Sequence, residues 1–330
     1  MTVSAKIAWL FPGQGAQAVG MGSDAFAASP AAREVFTRVD AAVSSELGRS
    51  LSQLCFEGPE ADLTLTRNTQ PAIVATSIAL LAALRERVGE LPEPTFAAGH
   101  SLGEYAALVA AGALRVEDAC LVVHRRGKAM QEAVPPGDGA MSAVMGIDAS
   151  LLEKLCAQAA EECGAVVSPA NFNAPGQIVI AGAARAVARA NALVGEHKGK
   201  AIPLKVSAPF HCALMRPAAD VVRASLDAVA VSAPRFPVVA NVDATARTSP
   251  DAIKDALVRQ VAAPVRWQSS VEAMVAAGVT HALEIGPGRV LAGLCKRISK
   301  QLKVYNVSDL ASLEGVRAFL DEQAADPQAG

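Results

Sequence analysis

The chain has 330 residues, 52% of them hydrophobic and only 4% aromatic, enough to bury a large core in one α/β unit or in a large and a small one. A formal net charge of −2 excludes a global field that would draw in nucleic acid or a membrane surface. Six scattered cysteines (Cys55, Cys120, Cys156, Cys163, Cys212 and Cys295) form no CxxC pair, so they are expected as reduced thiols of a cytoplasmic protein, not as a disulfide frame or zinc site. Met1 to Leu10 shows no long apolar region or cleavage site. The most apolar stretch, Ala72 to Leu84, is broken by Thr76 and Ser77 and is too short to cross a bilayer.

Lys6 to Phe11 is expected as a buried strand running into the permissive loop Pro12-Gly13-Gln14-Gly15. Pro71 to Val88 is expected as a long helix, with proline in its first turn and Gly89 as its stop. Thr95 to Ala98 is strand-like, Leu102 to Ala111 helical, and Val116 to about Ala133 helical again. This alternation is the pattern of a parallel sheet with helices. Pro135-Pro136-Gly137-Asp138-Gly139 interrupts it. Beyond lie a strand (Ala140 to Ile147), a helix (Ala149 to Glu162), two strands (Ala165 to Asn171, Gln177 to Ala181), a helix (Ala183 to Glu196) and a strand (Ala201 to Val206). That βαββαβ order is the ferredoxin-like pattern, expected as a small domain over 138–206 inserted into a large one of 1–137 and 207–322. Ser207-Ala208-Pro209 returns the chain to the large domain, where Val238 to Asn241 and His281 to Ile285 supply further strands. The second of these ends in Gly286-Pro287-Gly288, which no GxxxxGK[ST] phosphate loop follows. The tail from Glu322, and 323–330 in particular, is expected to be disordered.

The chemistry starts at Gly99-His100-Ser101-Leu102-Gly103. A G-x-S-x-G segment between a strand and a helix is a nucleophile elbow, with the serine hydroxyl exposed at a strained bend. Free N–H groups at the start of the following helix point at the reaction centre. The elbow implies acyl transfer through a serine ester, to an acceptor it does not name. A serine needs a base, and there are five histidines. His100 is a neighbour on the bend and points away; His197 sits in a charged run; His124 lies on a helix. His281 opens a strand, at the end away from the functional edge of a parallel sheet. His211 follows Pro209-Phe210 where the small domain hands the chain back, and is the best candidate.

Arg126 has Ala119, Val122, Val123, Ala129 and Met130 as its helical neighbours, so it lies on a buried stripe, with Arg125 toward solvent. A buried guanidinium needs a partner, and no carboxylate stands at helical spacing. The partner is either a substrate carboxylate held by a bidentate pair or a distant Asp or Glu. The N–H groups of Gln14, in the glycine-flanked loop, and of Leu102, after the serine, are candidate oxyanion donors.

The chain resembles the malonyl-CoA:acyl carrier protein transacylase family, the acyltransferases that load malonate in bacterial fatty acid synthesis. The resemblance rests on Phe11-Pro-Gly-Gln-Gly-Ala-Gln17, Thr69-Gln-Pro-Ala72, Gly99-His-Ser-Leu-Gly-Glu-Tyr105, Arg126-Gly127 and Met130-Gln-Glu-Ala133. It continues through Ala208-Pro-Phe-His-Cys212, Asn241-Val-Asp243, Val265-Arg-Trp267 and Glu284-Ile-Gly-Pro-Gly288, in family order from about 6 to 308. It implies a hydrolase-like α/β core with a mostly parallel sheet and an inserted ferredoxin-like domain. It also implies Ser101 as nucleophile, His211 as base, and the main-chain carbonyl of Gln260 orienting the imidazole without any carboxylate. Gln14 and Leu102 N–H groups would form the oxyanion hole and Arg126 would hold the malonyl carboxylate. Asn171 would line the cleft, and Phe210 resembles the bulky residue of related modular enzymes that prefer malonyl over methylmalonyl groups. No cofactor or metal is implied, since the CoA thioester and the phosphopantetheine thiol are substrates.

The implied partners are malonyl-CoA and, transiently, an acidic acyl carrier protein, with no nucleic acid or membrane, and the enzyme is expected to be a monomer. A basic docking patch would draw on Arg185, Arg189, Lys198 and Lys200, or on Lys296, Arg297, Lys300 and Lys303. Three alternatives stay open at the level of sequence. One is a serine thioesterase or esterase using the order Ser101, Asp243, His281. Another is a discrete acyltransferase feeding a polyketide synthase. The third is a non-enzymatic scaffold that binds carrier protein.

Overall fold

The computed structural model describes residues 6–325, apart from 90 and 207. Their strands are β1 (Lys6–Phe11), β2 (Phe96–Gly99), β3 (Gly139–Met145), β4 (Val167–Ala174), β5 (Gln177–Ala183), β6 (Lys200–Pro203), β7 (Val238–Val239), β8 (Ala246–Arg247), β9 (Val279–Ile285) and β10 (Lys303–Val307). They form two sheets. The larger runs β10-β9-β1-β2-β7-β8, parallel except for β8, with helices around it. Five of the six residues of β1 are buried, as expected of a strand covered on both faces. The register pairs Phe11 with Gly99. The loops after β1 and β2 therefore leave the same edge of the sheet side by side, which is where open parallel sheets bind ligands.

The smaller sheet is antiparallel, in the order β4-β5-β3-β6. Helix Ala149–Cys163 connects β3 to β4, and helix Ala184–Glu196 connects β5 to β6, reproducing the βαββαβ pattern. Asp148 caps the first of these helices, its carboxylate accepting from the Leu151 N–H at 2.9 Å. The small sheet is tied to the rest of the molecule through a bulge in β4, where the N–H of Val265 donates to the Ala170 carbonyl and that of Phe172 to the Val265 carbonyl.

Several local expectations differ from the structure. The helix expected from Pro71 begins at Thr66, which places Pro71 inside it. A proline there leaves the carbonyl four residues back without a donor. His124 supplies one, its Nδ1 donating to the Arg67 carbonyl at 2.9 Å. Burying Ile73, Leu80, Leu81 and Leu84 on the same helix contributes about 1.5–3 kcal/mol each, which outweighs the defect. β6 ends at Pro203, and Leu204–Val206 form a tight turn instead of a strand. Four helices between Ser23 and Leu63, the helices Arg216–Asp227, Pro250–Gln260, Trp267–Ala276, Val290–Ile298 and Val316–Ala325, and β8 and β10 have no counterpart in the sequence reading. The tail is not disordered from Glu322: helix Val316–Ala325 includes it and runs on through 323–325. Residues 326–330, Met1 to Ala5 and the junction residue Ser207 lie outside the described residues.

Candidate active site

Between β2 and helix Gly103–Ala110 the chain reverses at Ser101, whose φ is +53°. A non-glycine residue in the left-handed region costs of order 1–2 kcal/mol, so the surroundings must hold it there. Glycine flanks it for steric reasons. A Cβ on Gly99 would sit 2.0 Å from the Gly103 carbonyl, and one on Gly103 would sit 2.3 Å from the Phe11 carbonyl oxygen. Asn241, just after β7, clamps the bend: its Oδ1 accepts from the Ser101 N–H and its Nδ2 donates to the Gly99 carbonyl, both at 2.7 Å. The N–H groups of Leu102 and Gln14 make no hydrogen bond among the described residues, and both residues line the cleft.

Ser101 Oγ lies 2.7 Å from His211 Nε2. His211, also at positive φ (59°), places its Nδ1 2.9 Å from the main-chain carbonyl of Gln260. Gln260 is the last residue of helix Pro250–Gln260, so its carbonyl has no partner within the helix. A carbonyl only accepts, so Nδ1 carries the hydrogen and Nε2 turns a lone pair to the serine. Burial first, then the Arg126 cation, push the imidazole down to about 3, which keeps it neutral and able to take a proton.

Arg126 is 1% exposed, on the face of helix Val116–Glu132 where the apolar stripe put it. It donates to Gln70 Oε1 at 2.6 Å, and to Gln260 Oε1 and Ser101 Oγ at 2.9 Å. All three acceptors are uncharged, and its Nε–H has none among the described residues. It makes no ion pair within 4 Å among the described residues, which removes the distant-carboxylate alternative as a direct contact. Arg125 faces out and pairs with Glu46.

These groups open into a cleft of about 300 Å³ between the two sheets. Asn171 and Asn173 on β4, with Met141 and Val179, form its small-sheet wall, and Phe210 lines it beside His211. Asn173 Oδ1 is 2.9 Å from His100 Nε2, so His100, which also lines the cleft, ties the elbow to β4.

The Ser101-Asp243-His281 order is not assembled. His281 is buried within β9 against the Phe319 ring, and Asp243 is paired with Arg247 and Arg259. Of the basic residues, Arg189 is committed to Glu162 and Glu196, and Arg297 to Gln177 and the Pro175 carbonyl. The sequence reading missed the side chains of Gln70, Glu104, Asn241 and Gln260. Gln70, Glu104 and Asn241 lie in family-like segments, but Gln260 does not, and nothing local says that it reaches Ser101, Glu104 and Arg126 from the end of its own helix. The six cysteines are unpaired.

The acyl transferase domain family matches residues 8–317. The malonyl CoA-acyl carrier protein transacylase of Escherichia coli (strain K12) is 50% identical over 309 residues, 93% of this chain and 97% of that one. The crystal structure of an acyl carrier protein S-malonyltransferase from Vibrio cholerae superposes with a TM-score of 0.89 at 48% identity, covering 94% of this chain and all of that one. A malonyl-transacylase solved in complex with its type II PKS acyl-carrier protein has a TM-score of 0.88 and 46% identity, covering 94% and 98%.

Proposed function

The chain belongs to the malonyl-CoA–acyl carrier protein transacylases, and from that premise we propose how its site moves a malonyl group from malonyl-CoA to the thiol of an acyl carrier protein. The observation that carries the reading is a buried guanidinium within hydrogen-bond reach of the nucleophile and in contact with no carboxylate among the described residues. An acyl group bearing its own carboxylate fits that vacancy of charge.

Malonyl-CoA enters with its carboxylate on Arg126. Ser101 Oγ attacks the thioester carbonyl as His211 Nε2 takes its proton, and the oxyanion rests on the Gln14 and Leu102 N–H groups. Each such donor is worth about 3 kcal/mol in the transition state. The C–S bond breaks, and the proton passes from His211 to the departing CoA sulfur. The substrate carboxylate also offsets the Arg126 charge that weakens His211 as a base. In the second half, the carrier thiol gives its proton to His211 and attacks the ester. Its sulfur takes the malonyl group, and Ser101 regains the proton. Asn171 and Phe210 bound the acyl and pantetheine path. We place the reaction in the cytoplasm, a setting that six unpaired thiols support. Residues 138–206 act as an inserted wall of the cleft. The relative solved with a type II PKS carrier favours a second acceptor class for the same site.

Incubation with malonyl-CoA and holo-carrier protein tests the reading. It predicts malonyl-carrier as the main product. Free malonate formed at the same rate whether or not carrier is present would mean a hydrolase.

A further inference from the structure

Glu104, three residues after the nucleophile, is 3% exposed and has no part in the steps above. Its Oε2 accepts two hydrogen bonds, from the Asn241 N–H at 2.9 Å and from Gln260 Nε2 at 2.8 Å. Its Oε1 accepts none among the described residues, so a proton can sit there without breaking either bond. The same Gln260 amide receives Arg126 on its oxygen at 2.9 Å. One side-chain amide thus bridges a buried cation and a buried carboxyl, with its dipole oriented to suit both. Two cations bear on Glu104: Arg126 from helix Val116–Glu132, and Arg247 from β8, itself paired with Asp243. On its own helix the titratable neighbour is Tyr105, over whose ring the Arg126 guanidinium lies at 5.8 Å. His211 faces the same pocket and is neutral.

We propose that Glu104 is the counter-charge that the substrate's carboxylate displaces from Arg126, so that a carboxylated acyl group is loaded with uptake of a proton and a plain acyl group is not. The inference rests on the reading of Arg126 as the carboxylate's partner. In the free enzyme the ionised Glu104 offsets Arg126 across the Gln260 amide. A malonyl carboxylate then brings a second negative charge to one buried cation. Two carboxylates around one buried guanidinium do not both stay ionised at little cost. Glu104, with an open oxygen and no direct ion pair among the described residues, takes a proton from solvent onto Oε1. Burial already holds this carboxyl up at about 7, against the pull of the Asn241 and Gln260 hydrogen bonds and of the two cations. Only a modest further push is needed.

By reciprocity, a proton on Glu104 strengthens malonyl loading as much as malonyl strengthens the proton. The ratio of malonyl to acetyl loading is therefore highest below about pH 7, where Glu104 is neutral, and falls as it ionises. The fall is roughly tenfold for each unit by which malonate raises the carboxyl. Glu104→Gln is neutral at every pH. It should keep the high ratio throughout and lose the pH dependence.

The test is proton uptake in weakly buffered solution at about pH 8, followed with an indicator dye in stopped flow, for malonyl-CoA against acetyl-CoA. Both reactions release the same CoA thiol, so the difference between them reports the carboxylate alone. Wild type should take up more protons with malonyl-CoA than with acetyl-CoA, about 0.4 per site if malonate raises the carboxyl by one unit and about 0.8 if by two, and Glu104→Gln should show no difference. Equal uptake with the two substrates, or a difference that persists in Glu104→Gln, would overturn the proposal. Should that variant not fold, the wild-type difference still decides. Arg126→Ala separates the two readings. If it leaves the malonyl:acetyl ratio unchanged, the Arg126 assignment fails; if the ratio collapses while wild type shows no differential uptake, only the Glu104 proposal fails.

Discussion

Replacing Arg126 with alanine bears on substrate choice with a size the structure sets. Its three hydrogen bonds go to the uncharged acceptors Gln70, Gln260 and Ser101. A malonyl carboxylate would offer it charged acceptors, and two charge-assisted bonds of about 1.5–3 kcal/mol each total roughly 3–6 kcal/mol. At about 1.36 kcal/mol per decade, Arg126→Ala should lower kcat/KM for malonyl-CoA by about 10²–10⁴. An acetyl group has no carboxylate and loses only the support Arg126 gives to Ser101 Oγ, about one hydrogen bond or tenfold. The malonyl:acetyl ratio should therefore drop by about 10–10³, with absolute acetyl transfer also reduced. Arg126→Lys should fall between, keeping the charge but losing the planar fork. The assay is CoA release from each thioester with saturating carrier protein, with far-UV circular dichroism to confirm the fold. An unchanged ratio in folded Arg126→Ala would refute the reasoning.

Further expectations concern the base, the clamp and the helix defect. His211→Ala should cut CoA release by about 10³ or more, while His281→Ala should keep the chemistry and lose about 1–2 kcal/mol of stability by denaturant titration; a dead His281→Ala beside an active His211→Ala would reverse the assignment. Because burial and Arg126 hold His211 near 3, kcat/KM should show no acid limb around pH 6.5, and a rate that halves there would contradict a neutral base. The same depression costs stability in acid. The unfolded chain takes this proton near 6.5 and the folded one only near 3, so stability falls as pH drops through that window, and His211→Gln should flatten the fall in denaturation midpoint. Asn241→Ala should lower both the melting temperature and acyl-serine formation, because it frees the Ser101 N–H and the Gly99 carbonyl; unchanged loading would mean that the bend holds itself. His124→Ala leaves the Arg67 carbonyl open inside a helix and should cost about 1–3 kcal/mol without changing substrate choice.

What the sequence made legible was what repeats locally. The elbow could be read because a strand, two glycines and a helix former sit within a few residues of Ser101. Arg126 could be read because helical periodicity exposes one polar residue on an apolar face. His211 emerged from the short supply of histidines and the point where the small sheet's connection rejoins the core. The side-chain network around them could not be read. Gln70 meets Arg126 across 56 residues, and Gln260 meets Ser101 across 159. Amides carry no periodic signature, and their partners are fixed only by the packing of whole elements. Pro71 misled for a related reason: a proline normally marks a helix start, and an interior one is tolerable here because the distant His124 supplies a donor and the helix buries much apolar surface. The turn at Leu204–Val206 kept the alternation of a strand, although the sheet ends at Pro203.

The central claim is that malonate passes through an ester on Ser101, with His211 as the base. Brief mixing with malonyl-CoA in the absence of carrier, acid quench, proteolysis and mass spectrometry test it directly. The account predicts one malonyl group on the peptide containing Ser101, absent in Ser101→Ala and discharged by holo-carrier protein. Turnover with no ester at Ser101, or with malonate on another residue, would contradict it.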